Sequence, residues 1–181
     1  MVLRRRSANY AEVAVECVLP VRKMIDGIAI EPVDDAASFA ALHRLLVEYE
    51  RSLPADLRHG SEPDLQSVRR TFVEPNVAFL ARVDGRNAGC IGLMHHDAST
   101  GLIVRLYTRP SHRGRGAGRA LAEAAIASAR ERGYERVVLD THAERLAAAY
   151  NLYRSLGFVD CEPFGAVDYA CPTYMERKLD G

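Results

Sequence analysis

The stretch from Leu102 to Arg130 constrains this chain more than any other. An apolar run, Leu102-Ile103-Val104-Arg105-Leu106-Tyr107, leads through Pro110 to Arg113-Gly114-Arg115-Gly116-Ala117-Gly118, and an Ala-rich segment from Ala120 to Arg130 follows. That order reads as a strand, a tight turn and a helix start. Glycines permit the sharp turn and leave no side chains over it. The first amides of a helix have no partner inside the helix, and the helix dipole adds partial positive charge at the same place. The turn is therefore an anion seat, and phosphate is the usual occupant of such a seat. Arg109, Arg113, Arg115 and Arg119 put up to four cations around it.

Other Gly-rich turns make different demands. A dinucleotide-binding turn wants G-x-G-x-x-G, with an acidic residue about twenty positions on. Gly114-Arg115-Gly116 begins that match and Asp140 stands at a suitable distance, but position 119 is Arg. A nucleoside-triphosphate loop requires Lys followed by Ser or Thr after its last glycine. Neither pair follows here, which excludes that reading. A helix start whose glycines serve packing alone is the remaining alternative.

Two blocks carry a family resemblance. Pro110-x-x-Arg113-Gly114-x-Gly116-x-Gly118-x-x-Leu121 resembles the acetyl-coenzyme-A signature of the GNAT superfamily of N-acetyltransferases, R/Q-x-x-G-x-G/A. Ala149-x-x-Leu152-Tyr153-x-x-x-Gly157-Phe158 is similar to the A-x-x-L-Y-x-x-x-G-F block that follows the signature in that family. The blocks stand in the family's order and at its usual separation, and the resemblance covers residues 27–180. It implies an α/β (α+β) fold. The sheet would be mixed, mostly antiparallel and six- to seven-stranded, splayed at the cofactor site, with helices on both faces.

Composition fits one globular unit. At 181 residues the chain suits one domain better than two. Apolar content of 48% with 27% charged residues is globular rather than disordered. The 24 basic and 24 acidic residues cancel, so there is no global pull toward nucleic acid or an anionic membrane. No apolar run approaches the roughly 18 residues of a membrane span. Cys17, Cys90, Cys161 and Cys171 form no C-x-x-C pair, which argues against a zinc or redox motif, and no metal is expected. Free thiols without a signal peptide place the chain in a reducing cytoplasm. His95 and His96 would point to opposite faces of a strand, which disfavours a two-ligand metal site. Residues 1–26 read as a loosely ordered extension, with Met24 an alternative start, and residues 27–181 as a single N-acetyltransferase domain. Met1-Val2-Leu3-Arg4-Arg5-Arg6 opens like a signal peptide, but Glu12, Glu16, Arg22 and Lys23 interrupt what should be its apolar core.

The remaining pattern predicts alternating elements. Gly27 to Pro32 forms a first strand. Asp34 or Asp35 caps a helix running to about Leu53, with Phe39, Leu42, Leu46 and Tyr49 at helical spacing and Pro54 ending it. Ser61-Glu62-Pro63-Asp64 opens a short helix to about Phe72. Val77 to Val83 is a strand, Asp84-Gly85-Arg86-Asn87 a hairpin turn and Ala88 to Met94 the return strand, with Leu102 to Thr108 next. Gly116 to Arg132 is the long helix, stopped by Gly133. Arg136 to Asp140 is a strand, Glu144 to Leu156 a helix, and Phe158 to Cys161 and Cys171 to Leu179 the last strands.

The resemblance also implies roles. Backbone N–H groups of Arg113, Gly114, Arg115, Gly116, Ala117, Gly118 and Arg119 would hold the pyrophosphate of acetyl-coenzyme A. The strand edge at Leu106, Tyr107 and Thr108 would pair with its pantetheine amides. A strand N–H at Leu106 or Tyr107 would face the thioester oxygen. Tyr153 would give a proton to the departing sulfur, with Tyr150 the fallback. Direct attack by an amine is the implied chemistry. No carboxylate stands on the strand before the signature, so the general base is open among Asp140, His142, His95, His96 and water. Leu146 stands where many relatives carry Asn. Arg105 could bind an acceptor carboxylate, and Tyr49, His59, Phe164, Asp168 and Tyr169 could line the acceptor pocket. The implied acceptor is a small-molecule, amino-acid or peptide amine, and a homodimer is compatible with the family. A non-catalytic acyl-coenzyme-A sensor and a protein-modifying acetyltransferase share the same resemblance.

Overall fold

The computed structural model describes residues 23–25, 27–60, 62–165 and 169–179. The expected extension over residues 1–26 lies almost wholly outside them. So do Cys17, Ser61 and Asp168.

The sheet is mixed and mostly antiparallel, in the order β1-β2-β3-β4-β5-β6-β8-β7. Its strands are β1 (Lys23–Ile25), β2 (Ile28–Pro32), β3 (Val77–Val83), β4 (Arg86–Asp97), β5 (Thr100–Thr108), β6 (Arg136–Thr141), β7 (Val159–Asp160) and β8 (Thr173–Lys178). Six have five or more residues, matching the expected core, and the short β1 and β7 bring the total to eight. Only the β5–β6 pair is parallel. The backbone of Lys23–Ile25, which the sequence groups with the extension, pairs with β2.

Four α-helices cover the two faces: α1 (Ala36–Ser52), α2 (Leu65–Thr71), α3 (Ala117–Glu131) and α4 (Ala147–Ser155). The alternation of β3 assigns the faces. Phe79, Ala81 and Val83 join the core under α3 and α4, whereas Ala78 and Leu80 join the core under α1 and α2. Helix α3 lies close to the sheet because its buried face is mostly alanine: Ala117, Ala120, Ala122, Ala125 and Ala129.

Local chemistry sets the ends of these elements. Asp35 accepts from Ser38 N at 2.7 Å, and the Ser38 hydroxyl lies 3.0 Å from Asp35 N, forming a reciprocal cap. Asp64, not Ser61-Glu62-Pro63, caps α2 by accepting from Gln66 N and Ser67 N. The hairpin between β3 and β4 turns on Asp84 and Gly85 alone, both at positive φ, so Arg86 and Asn87 already belong to β4. Strand β4 is accordingly longer than expected. Helix α4 starts at Ala147 rather than Glu144: residues 143–146 form a turn, from which Arg145 binds Asp56 through both terminal guanidinium nitrogens.

One irregularity organises the rest. Cys90 pairs with Tyr107 and Gly92 with Val104, so Ile91 alone faces two residues of β5, Arg105 and Leu106. Arg105 has φ of 58°, a left-handed conformation. A bulge of this kind bends its strand and ends regular pairing. Accordingly, β5 pairs with β6 only from Thr100 to Leu102, and the rest of β6 pairs with β8 alone.

The β4–β5 contact just past the bulge is tight. A Cβ placed on Gly89 would lie 2.3 Å from the Tyr107 carbonyl oxygen. Gly89→Ala is therefore expected to cost about 1–3 kcal/mol, seen as a lower urea midpoint at unchanged slope. An unaltered midpoint would mean the strands do not approach so closely.

Candidate active site

Beyond Leu102 and Val138 the sheet opens, and the opening is a cavity of about 460 Å³. One wall is β5 from Ile103 to Leu106. The opposite wall is Asp140 and Thr141 of β6 with Leu146, Ala149 and Tyr153 at and along α4. Tyr49 of α1 and the Arg58–His59 segment after it close the other side. From Ile103 to Thr108, the edge of β5 that would face β6 has no ladder partner.

The Gly-rich turn stands where α3 begins. Gly114 and Gly116 have φ of 74° and 88°, and Gly116 is the N-cap, with no side-chain cap. Among the described residues, no backbone or side-chain group accepts from the amides of Gly114 through Arg119; the first inward bond is Ala120 N to Gly116 O. The seat therefore has free donors. A Cβ on Gly114 would meet nothing within 4 Å, so the surface above the turn is open. Gly118 faces Leu152 of α4 and the Thr108 hydroxyl, which sets the turn beside the unpaired end of β5.

The surrounding arginines are less available than the sequence suggests. Arg109 is not a cation of the seat. It donates two hydrogen bonds to Glu48 of α1, at 2.7 and 2.6 Å, and a third to the Asn87 carbonyl. Arg113 reaches the Thr108 carbonyl at 3.2 Å, Arg115 reaches Asp84 at 3.1 Å and Arg119 reaches the Ser155 hydroxyl at 2.7 Å. The side chains of Arg115 and Arg119 remain about half exposed, at 49% and 46%. Pairs of that kind are weak, so these two can turn toward an anion at little cost.

Inside the cavity, Tyr153 is 5% exposed and packs edge-on against Phe158, with ring centroids 5.2 Å apart. Its hydroxyl has no partner among the described residues and is not sealed off. Burial pushes its pKa well above the usual phenol range, so it stays protonated. Tyr150 does not share this position. Its hydroxyl donates to Asp160 of β7, outside the cavity, which removes it as the alternative donor. Asp140 lines the cavity and accepts the Tyr169 hydroxyl at 2.7 Å. His142 faces the Arg145 amide, His95 contacts the Tyr134 hydroxyl and His96 stacks on Phe164; none lines the cavity. Phe164 also lies outside it, against Tyr174.

Glu50 is the residue that the sequence pattern hides. It is 3% exposed and takes the Arg105 guanidinium, the His59 amide at 3.1 Å and the His59 Nδ1 at 3.0 Å. Arg105 also lies over the Tyr49 ring, 5.9 Å from its centroid. Burial lifts the Tyr49 hydroxyl to about 12, despite the opposing effect of Arg105. The available signal was position: Glu50 follows Leu42 and Leu46 at four-residue steps on the buried face of α1. Arg58 is hidden in the same way: it lines the cavity, and among the described residues only its Nε is engaged, on the Leu53 carbonyl.

Known proteins share this architecture. A model of the Acetyltransferase (GNAT) family matches residues 39–158. The uncharacterized N-acetyltransferase YsnE of Bacillus subtilis is 36% identical over 110 residues, which is 58% of this chain and 72% of that protein. An IAA acetyltransferase of Azospirillum brasilense is 34% identical over 134 residues, covering 69% of this chain and 81% of its own. A Salmonella typhimurium structure, the putative acetyltransferase yncA with its cofactor acetyl-CoA, superposes with a TM-score of 0.69. It covers 85% of this chain and 95% of its own at 21% identity, a likeness of fold alone. The chain belongs to the GNAT acetyltransferase family. Its enzymatic class is therefore acyltransferase.

The Arg109–Glu48 pair joins α1 to the strand end and touches no free donor of the seat. Arg109→Ala is expected to lower stability by about 1–3 kcal/mol and to leave coenzyme A affinity within about twofold, on the scale where tenfold is 1.4 kcal/mol. Calorimetric titration checks this, and a large affinity loss would return Arg109 to the seat.

Proposed function

We propose that this chain moves an acetyl group from acetyl-coenzyme A to the primary amine of a small molecule, amino acid or peptide by direct attack. The observation that carries this reading is the row of unpaired amides from Gly114 to Arg119. It stands at the end of an open strand edge that leads to the free hydroxyl of Tyr153. The acetyl-CoA bound in the Salmonella relative supports the choice of donor. Residues 27–181 act as one N-acetyltransferase domain in this reading, and its free thiols suit a reducing cytoplasm. No helix among the described residues is long and apolar enough to cross a membrane.

The residues present fit the donor. Amides of Gly114, Arg115, Gly116, Ala117, Gly118 and Arg119 hold the pyrophosphate, with the half-exposed arginines adding charge; the Arg113 amide, expected among them, is instead spent on the Pro110 carbonyl at 3.3 Å. The edge of Leu106, Tyr107 and Thr108 pairs with the pantetheine amides as an added strand would. Bound acetyl-coenzyme A supplies an activated thioester whose leaving group is a thiol of pKa about 8.5, by analogy with Cys. A strand amide at Leu106 or Tyr107 polarises the acyl oxygen. Tyr153, kept protonated by burial, gives its proton to the sulfur. The cavity beyond it, with Asp140 on one wall and Arg105 on the other, takes the acceptor.

Two variants test the assignment. Gly116→Asp places a carboxylate at the seat and should weaken acetyl-coenzyme A binding by at least about tenfold, because like charges at close quarters cost several kcal/mol. Asp tolerates the left-handed conformation of Gly116, so circular dichroism should be retained. Unchanged affinity would refute the seat. Tyr153→Phe should lower kcat by about 10²–10⁴-fold with cofactor affinity preserved. Full activity would assign the proton to water.

A further inference from the structure

The cavity is lined unequally, and its asymmetry names an acceptor. Arg105 spends only Nη1 on Glu50 and His59, leaving Nε and Nη2 without a partner among the described residues. Among the described residues, Arg58 spends only Nε, on the Leu53 carbonyl. Both side chains line the cavity. A guanidinium offers five donors in a planar fork, suited to two-point binding of a carboxylate. On the other wall, Asp140 holds the Tyr169 hydroxyl on Oδ2, and Oδ1 has no partner among the described residues. Tyr49 lines the same cavity, with the Arg105 guanidinium 5.9 Å from its ring centroid. The floor beside Arg105 is apolar, formed by Val68, Phe72, Met94 and Val104.

We infer that the acceptor is a free α-amino acid with an apolar side chain, its carboxylate held by Arg105 and Arg58 and its amino group received by Asp140. This rests on the acetyl-transfer reading above and narrows it. An amine without a carboxylate would leave the free donors of Arg105 and Arg58 unmatched and set its own positive charge beside them. A peptide N-terminus would present a neutral amide where the carboxylate belongs. A polycation would meet like charge on the same wall. The α-amino acid matches both walls and places its side chain on the apolar floor.

The step balances as follows. The C–N bond forms and the C–S bond breaks, its electron pair passing to sulfur. The nitrogen, initially an ammonium, loses two protons. One passes through Asp140 to solvent. The other replaces the proton that Tyr153 gives to the sulfur, so the products are the N-acetyl amino acid and the neutral thiol.

The test compares leucine, leucinamide and 3-methylbutylamine as acceptors for the full chain with acetyl-coenzyme A, reading thiol release and product mass. Loss of a charge-assisted contact corresponds to about ten- to hundredfold in kcat/KM, and leucine should lead both analogues by that margin. Arg58→Gln should raise the KM for leucine about ten- to hundredfold. It should leave coenzyme A affinity unchanged and should not raise the KM for 3-methylbutylamine, which has no carboxylate contact to lose. Arg105→Gln should do the same; because Arg105 also shapes the bulge, Arg58→Gln carries the test should Arg105→Gln fail to fold. Equal turnover of 3-methylbutylamine and leucine, or discrimination surviving Arg58→Gln, would overturn the inference while acetyl transfer stands. Absence of both acetyl-coenzyme A binding and thiol release with every acceptor would overturn the acetyl-transfer reading itself, and this inference with it.

Discussion

Where β4 offers only Ile91, β5 places both Arg105 and Leu106, and the second half of the molecule follows from that mismatch. The extra residue turns β5 away from β6 after three paired positions. The separation makes the cavity, leaves the edge from Ile103 to Thr108 without a ladder, and brings the end of that edge to the Gly-rich turn. A left-handed conformation costs a non-glycine residue roughly 1–2 kcal/mol. The charge-assisted bond from Arg105 to the buried Glu50 is worth about 1.5–3 kcal/mol, and the Tyr49 ring adds to it. The bond therefore offsets the strain. It also ties the bulge to α1, so the wall that faces the acceptor and the distortion that opens the sheet form one unit.

In the proposed reading, recognition at the two ends of the opening rests on different groups. At the turn, main-chain donors would carry it, because Arg109 is committed to Glu48 and Arg113, Arg115 and Arg119 have partners of their own. Affinity there would depend on geometry, with side-chain charge as a salt-screened addition. In the cavity, side chains dominate, and their charges are sorted: guanidinium groups on the α1 side, a carboxylate on the β6 side. Tyr153 lies between, protonated and unpaired, where the two parts of the opening meet.

Local features were readable in the sequence. The Asp34-Asp35 pair, of which Asp35 is the cap, and the spacing of Leu42, Leu46 and Tyr49 marked α1; Asp84-Gly85-Arg86-Asn87 marked the β3–β4 hairpin, which turns on its first two residues; Gly133, at φ of 77°, marked the end of α3. What the sequence concealed depends on distant partners. The bulge falls on Arg105, where no glycine announces a left-handed residue, and it exists because of Ile91 opposite and Glu50 beneath. Arg109 looks like a phosphate ligand until Glu48, 61 positions away, takes it. The start of α4 is set back behind a turn whose Arg145 binds Asp56, 89 positions away. Tyr150 and Tyr153 sit one helical turn apart, yet Asp160 draws only the first away from the cavity.

The central claim is that the unpaired amides at the turn and the open edge of β5 receive the donor. Amide-resolved NMR during titration with coenzyme A tests it most directly. The account predicts that the largest shifts and the strongest slowing of hydrogen exchange fall on Gly114, Gly116, Gly118 and the Leu106–Thr108 edge. Saturable binding that leaves those amides unmoved would contradict it.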